Sequence, residues 1–361
     1  MRPKTHERPG LAASPLMSAI LNKRSTLLCD AATRAARGAF NRSPSPLMLM
    51  TSYTRREFAG LALFGLPAAK LLSGVRSHRA GVQIGLNVPY SFGSNTMSAD
   101  DVLKNCVALG VSALELRSQP VEAFLGAPAP APAVPRGADS TTRAAAMSLA
   151  QAGKERLRAW RTATAPDGAT AFRRKYEDAG VRIEIVKFDN IYGMSDGELD
   201  FAFTLAKTLG ARAISCEIST QDDDLRRIGS FADRHQLMVG YHGHTKVTPA
   251  IWEHAFSLAK YNGANVDLGH FIAGNNYSPV DFIRTHHERI THVHVKDRKL
   301  NEGPNVPFGM GDTPIVEVLR LIRDNGWPMQ ATIEFEYPIP AGSDRLTEIA
   351  RALKFCREAL A

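Results

Sequence analysis

Nine of the eleven histidines in this chain lie between His235 and His294, with carboxylates interleaved among them. The segment Ala211-Arg-Ala-Ile-Ser-Cys-Glu217-Ile sets one carboxylate in an otherwise apolar run. An unpaired charge is costly to bury there, so Glu217 requires a cation. In Asn265-Val-Asp267-Leu-Gly-His270 an Asp is followed three positions on by a His. If His292-Val-His294-Val-Lys296-Asp297 is extended, its period of two sends His292, His294 and Lys296 to one face, and Glu334 and Glu336 share a face in Thr332-Ile-Glu334-Phe-Glu336-Tyr. Taken together, Glu217, Asp267, His294 and Glu334 form an oxygen-rich set with a single imidazole. It suits one divalent ion, Mn²⁺ ahead of Mg²⁺ or Co²⁺, better than a thiolate-seeking metal. Each residue alone has a plainer use, since a strand-end Glu also serves as a salt-bridge partner. His254, His286 and His287 fall on expected helices as surface or packing residues, and His292 as the neighbour behind His294.

Past residue 80, apolar runs of five to seven residues alternate with amphipathic stretches, the rhythm of βα units around a parallel sheet. Strands are expected at 82–88, 111–116, 181–187, 211–218, 237–241, 264–268, 290–295 and 330–335. Helices are expected at 99–109, 196–209 and 314–325, with a long or doubled helix over 144–160 and 171–178. Gly110, Gly180, Gly210 and Gly326 stand where helices close. Eight such pairs match an α/β (β/α)₈ TIM barrel, in which strand C-termini and the loops after them build the active site. The residues above fall at the ends of strands four, six, seven and eight. Residues 118–140 break the rhythm, and the alternating prolines of 126–135 predict an extended insertion, either a lid or a solvated spacer.

Composition bounds the function. The formal net charge of +8 is uneven: residues 1–80 hold 13 Lys or Arg against three acids, a balance of +10, and the barrel region from residue 81 carries −2. That excludes a basic nucleic-acid face on the barrel. Cys29, Cys106, Cys216 and Cys356 are far apart with no Cys-x-x-Cys, which excludes a zinc-thiolate site or disulfide framework. Thr54-Arg-Arg-Glu-Phe58, followed by a short apolar stretch to Ala69, has the layout of a twin-arginine export signal. The apolar stretch falls short of the roughly 20 residues of a spanning helix. The expectation is therefore a periplasmic or secreted protein with no stable membrane insertion, translated from Met48 or Met50 rather than Met1. An organelle transit peptide over residues 1–50 is the alternative.

From about Val82 to Ala361 the chain resembles the xylose-isomerase-like TIM barrels, in particular the sugar phosphate isomerase/epimerase group with its D-tagatose 3-epimerase type. The resemblance is carried by Gly240-Tyr-His242-Gly-His244, by His292-Val-His294-Val-Lys296-Asp297-Arg298, by Pro307-Phe-Gly-Met-Gly-Asp312 and by Ile333-Glu334-Phe-Glu336-Tyr. It implies one divalent ion held by Glu217, Asp267, His294 and Glu334, with His270 binding substrate and Arg298 near the position of a substrate-facing Arg. It also implies that Glu217 and Glu334 shuttle a proton through an enediolate on a ketose or related sugar. Gly243 replaces an Asn common in this group, and Asp223 stands in place of a second Glu. His242 and His244 line the pocket and bind hydroxyls, or act as acid and base in an elimination. Lys187 and Lys296 either steady an oxyanion, a phosphate or an acid, or form salt bridges with Asp189 and Asp297. The alternatives to an isomerase or epimerase are a metal-dependent lyase, dehydratase or keto-glycoside-cleaving enzyme, and an inactive exported sugar-binding protein. The expected partner is a small sugar, with no nucleic acid, in a chain that can form a homo-oligomer.

Overall fold

The computed structural model describes residues 76–131, 134 and 137–361. The twin-arginine segment and the alternative start sites lie outside them. Eight parallel strands form a ring: β1 Val82–Val88, β2 Ala113–Arg117, β3 Arg182–Lys187, β4 Ala213–Glu217, β5 Met238–His242, β6 Asn262–Asp267, β7 Ile290–Val295 and β8 Gln330–Ile333. Each strand pairs with the next, and β8 closes onto β1 through Ala331 opposite Ile84 and Ile333 opposite Leu86. The strands are buried on both faces, as helices on the outside of a parallel sheet require. All six residues of β7 are buried. The register shifts between Leu114 and Glu115 where β2 meets β3, and between Ala264 and Asn265 where β6 meets β7. Both irregularities sit beside residues that contact His294, in keeping with the use of bulges to re-aim side chains.

Helices α1 Ala99–Leu109, α2 Ser118–Phe124, α3 Ser140–Ala163, α4 Ala169–Asp178, α5 Asp196–Thr208, α6 Asp222–His235, α7 Pro249–Leu258, α8 Leu268–Asn275, α9 Val280–His286, α10 Ile315–Asn325 and α11 Arg345–Ala359 connect them. Ser98 caps α1 through the Asp101 N–H at 3.1 Å, and Gly110 ends it at φ +66°. Ser195 and Glu198 form a reciprocal capping box on α5.

The break in the rhythm over 118–140 opens with a short helix that was not expected, ahead of the proline-rich stretch. Residues 118–124 are helical, because Pro120 falls in the first turn, where its missing N–H leaves no hydrogen bond unmade. The doubled helix is longer than its periodicity suggested. Arg161 near the end of α3 meets Glu122 of α2 at 2.7 Å and Glu198 of α5 at 3.3 Å, which ties three helices together.

Candidate functional site

The site is built on strand ends. His292 and His294 of β7 are fully buried against Glu115 of β2, which is itself fully buried. Glu115 pairs with His294 Nε2 and stands 3.5 Å from His292 Nε2, and the side-chain amide of Asn265 lies 3.0 Å from the same His294 nitrogen. Glu115 accepts from Nε2, and the Nδ1 side of His294 faces Asp267 Oδ2 at 3.6 Å and Glu334 Oε2 at 3.4 Å. Burial opposes a charge on this ring, but Glu115, Glu334 and Asp267 raise the pKa of His294 well above the ordinary imidazole value. Nδ1 is buried and has no hydrogen-bond partner. His242 of β5 completes the group, with Nε2 at 3.4 Å from Asp267 Oδ2. One ligand atom from each of His242, Asp267, His294 and Glu334 can be chosen so that all lie within 4.8 Å of one another.

Glu217 stands next to this group and joins it through His242, whose Nδ1 is 2.9 Å from Glu217 Oε2. The carboxylate is half-exposed and also meets His244 Nε2 at 2.9 Å and Lys187 Nζ at 2.8 Å. Burial works against its charge, but bonds from His242 and His244 and the Lys187 ammonium hold its pKa far below the usual carboxylate range. Gly243 fits because a Cβ there would lie 2.4 Å from the Trp252 ring, so the backbone between His242 and His244 presses on that indole.

Lys296 is buried beneath the group. Its Nζ is 3.0 Å from Asp267 Oδ2, 2.5 Å from Glu334 Oε2 and 2.6 Å from Glu336 Oε2. A Cβ on Gly269 would come within 2.5 Å of Lys296 Cγ, so bare backbone at that position gives the lysine its path. Burial disfavours the ammonium, yet Asp267, Glu334 and Glu336 raise its pKa well above the ordinary lysine value. The remaining oxygens are also engaged: Asp267 Oδ1 accepts from the His270 N–H at 2.7 Å, and Glu334 Oε1 from Asn87 at 2.8 Å. His270 lies with Nε2 3.1 Å from Lys296 Nζ and Nδ1 2.7 Å from Arg298 Nη1. Burial, with Lys296 and His242, lowers its pKa to about 4 against the pull of Asp267, so the ring is neutral at pH 7.

All ten residues singled out from sequence fall in this region. Asp267, His294 and Glu334 come together as expected, with His242 rather than Glu217 as the fourth member of the tight group. Lys187 pairs with Glu217 and not with Asp189, which Arg117 takes at 2.8 Å. Asp297 does not pair with Lys296. Its carboxylate accepts the N–H groups of Gly309, Gly311 and Thr313 and so folds the 307–312 turn. Arg298 braces His270 and the Gly303 carbonyl, and Asp223 is exposed on α6. Sequence reading missed Glu115, Asn87 and Tyr90, the last bonding Glu336 at 2.7 Å.

The donor set fits a divalent ion. Glu115, Glu217, Asp267, Glu334 and Glu336 place five carboxylates against the two ammonium groups of Lys187 and Lys296. The Nδ1 of His294 and the two carboxylate oxygens it faces converge closely enough to share one cation in place of the imidazole proton. Imidazole and carboxylate donors match a hard or borderline ion.

The chain belongs to the xylose isomerase-like TIM barrel family, whose model matches residues 161–359. None of the curated proteins matches it. Among solved structures it is similar to a xylose isomerase domain protein from Planctomyces limnophilus (16% identity, 77% of this chain and 96% of that one, TM-score 0.51). It is also similar to the probable 3-DHS dehydratase AsbF from Bacillus anthracis (14%, 76% and 98%, TM-score 0.52). A third is a xylose isomerase domain protein from Alicyclobacillus acidocaldarius (15%, 77% and 99%, TM-score 0.52). At these identities the likeness concerns the fold.

Proposed function

We propose that this barrel is a divalent-metal-dependent isomerase or epimerase that moves a proton on a ketose or related sugar. One observation carries the reading. Glu217 and Glu334, from β4 and β8 on opposite sides of an eight-strand ring, flank the buried group of His242, Asp267 and His294. Asp267, His294 and Glu334, with His242 or Glu217, would hold the ion, which when bound neutralises charge building on neighbouring substrate oxygens. Glu334 takes the proton from the carbon beside the carbonyl. Lys296, already on that carboxylate, keeps it ionised and places a positive charge beside the developing oxyanion. Glu217 returns a proton on the other face, relayed from the exposed His244. Neutral His270, held between Lys296 and Arg298, positions both cations. Export through the leader segment belongs to the same reading and fits a barrel that folds before it is moved.

The test is a screen of keto-sugars in deuterated water with Mn²⁺. Deuterium at the carbon next to the carbonyl, with mass otherwise conserved, is the expected product. Glu334→Gln should lower turnover by about 10²–10⁴-fold with an unchanged circular dichroism spectrum, and undiminished activity would remove Glu334 from the mechanism. A second reading is elimination of water. It is favoured by His244, whose bond to Glu217 raises its pKa and makes an exposed imidazolium available as an acid for a leaving hydroxyl. Product lighter by one water would select it.

A further inference from the structure

Beside the proposed reaction centre lies a cavity of about 480 Å³, lined by Tyr90, Ser94, Asn95, Asn305, Glu336 and Arg345 among others. That volume is in the range of small-molecule pockets. Its lining is shared with the site: Glu336 bonds Tyr90 at 2.7 Å and Lys296 at 2.6 Å, so one carboxylate joins the cavity to the lysine that contacts Glu334. Glu336 is thus committed to partners. Arg345 is not. No carboxylate lies within 4.0 Å of its guanidinium nitrogens among the described residues. The guanidinium is nevertheless held in place, with its carbon 5.0 Å from the Phe335 ring centroid and Nη1 3.3 Å from the Ser91 carbonyl. Gly93 leaves room for it, since a Cβ there would lie 2.9 Å from Arg345 Nε. Asn305 also lines the cavity, its side-chain amide donating to Glu336 Oε2 at 3.3 Å.

We infer that this cavity is a subsite for an anionic group, carboxylate or phosphate, at the end of the sugar remote from the reacting carbons. Arg345 is the residue that recognises it. A guanidinium that is fixed, stacked on an aromatic ring and without an anionic partner is pre-organised for a two-pronged oxyanion. The inference deepens the proposed function and rests on it for the placing of the reacting end at Glu334.

The experiment measures equilibrium binding to the full chain by calorimetry, in the presence of Mn²⁺, with three probes: D-fructose, D-fructuronate and D-fructose 6-phosphate. Wild type should bind at least one of the two acids about tenfold or more tighter than fructose, the loss expected when a charged hydrogen bond is missing. The arm that gains identifies carboxylate or phosphate. Arg345→Met keeps the apolar stem against Phe335 and should erase the preference. Arg345→Lys should restore part of it, and a melting curve for each variant shows that the fold is kept. Equal binding of all three probes, or a preference that survives Arg345→Met, overturns the subsite. An acid bound through Arg345 but not turned over, with no neutral sugar turned over either, defeats the isomerase reading and leaves the subsite standing. Turnover of fructose with a KM untouched by Arg345→Met does the reverse.

Discussion

Glu115 illustrates how one buried side chain sets the chemistry of another. By accepting from His294 Nε2 it orients the ring and aims Nδ1 at Asp267 and Glu334. Carboxylates behind a ligating histidine usually contribute 10- to 100-fold in metal affinity, on the order seen for such outer partners. Glu115→Gln should therefore weaken Mn²⁺ binding by about that factor, read by calorimetry, while the barrel remains folded. Unchanged affinity would mean that the ion does not use His294. The residue was open to sequence reasoning. A lone carboxylate inside the apolar run 111–116 poses the same burial problem as Glu217 and calls for a cationic partner in the same way. The bridging of His242 between Glu217 and Asp267 was not legible in this way. It depends on how far each ring reaches across β4, β5 and β6, which spacing along one strand does not encode.

At the scale of elements, periodicity and capping located the strands because each is a short apolar run closed by a turn residue. β1 and β7 fall at the expected bounds. Errors arose where tertiary contact overrode the local pattern. α2 forms in a proline-bearing stretch held by tertiary contact, Phe124 edge-on to Phe172 of α4 at 5.2 Å and Glu122 paired with Arg161, which sits in the last turn of a helix whose sequence is mostly polar. That guanidinium faces two buried carboxylates, so Arg161→Met should cost about 3 kcal/mol of stability, measured by urea titration, by leaving Glu122 without its cation and Glu198 with Arg158 alone. The tie also has a pH signature. Burial opposes ionisation of Glu198, but bonds from Ser195 and from Arg158, with the Arg161 charge, lower its pKa below the ordinary 4.5. Its contribution is therefore present in full above that value and is lost as pH falls through the depressed folded pKa. Acid unfolding of Arg161→Met should accordingly show a shallower dependence on pH below 4.5 than wild type, and equal slopes would assign the acid sensitivity to another group.

For the molecule as a whole, the ring brings β2, β4, β5, β6, β7 and β8 to a common centre, and that centre carries more carboxylate than ammonium charge. Closing the barrel without an added cation leaves this repulsion in the folded state alone, because the unfolded chain separates the same groups along more than 200 residues between Glu115 and Glu336. An ion that binds only the folded form stabilises it by RT ln(1 + [L]/Kd), about 2.7 kcal/mol at a hundredfold excess over Kd. For a domain of this size each kcal/mol moves the midpoint by roughly 2–4 °C. Saturating Mn²⁺ should thus raise the melting temperature by roughly 5–10 °C, and a chelator should reverse the gain. An Asp267→Asn, Glu334→Gln double variant should melt at the same temperature with and without Mn²⁺, because it lacks both oxygens that face His294 Nδ1. If that variant gains as much as wild type, the ion binds elsewhere on the acid-rich face, and the convergence of these strand ends serves only to hold Lys296.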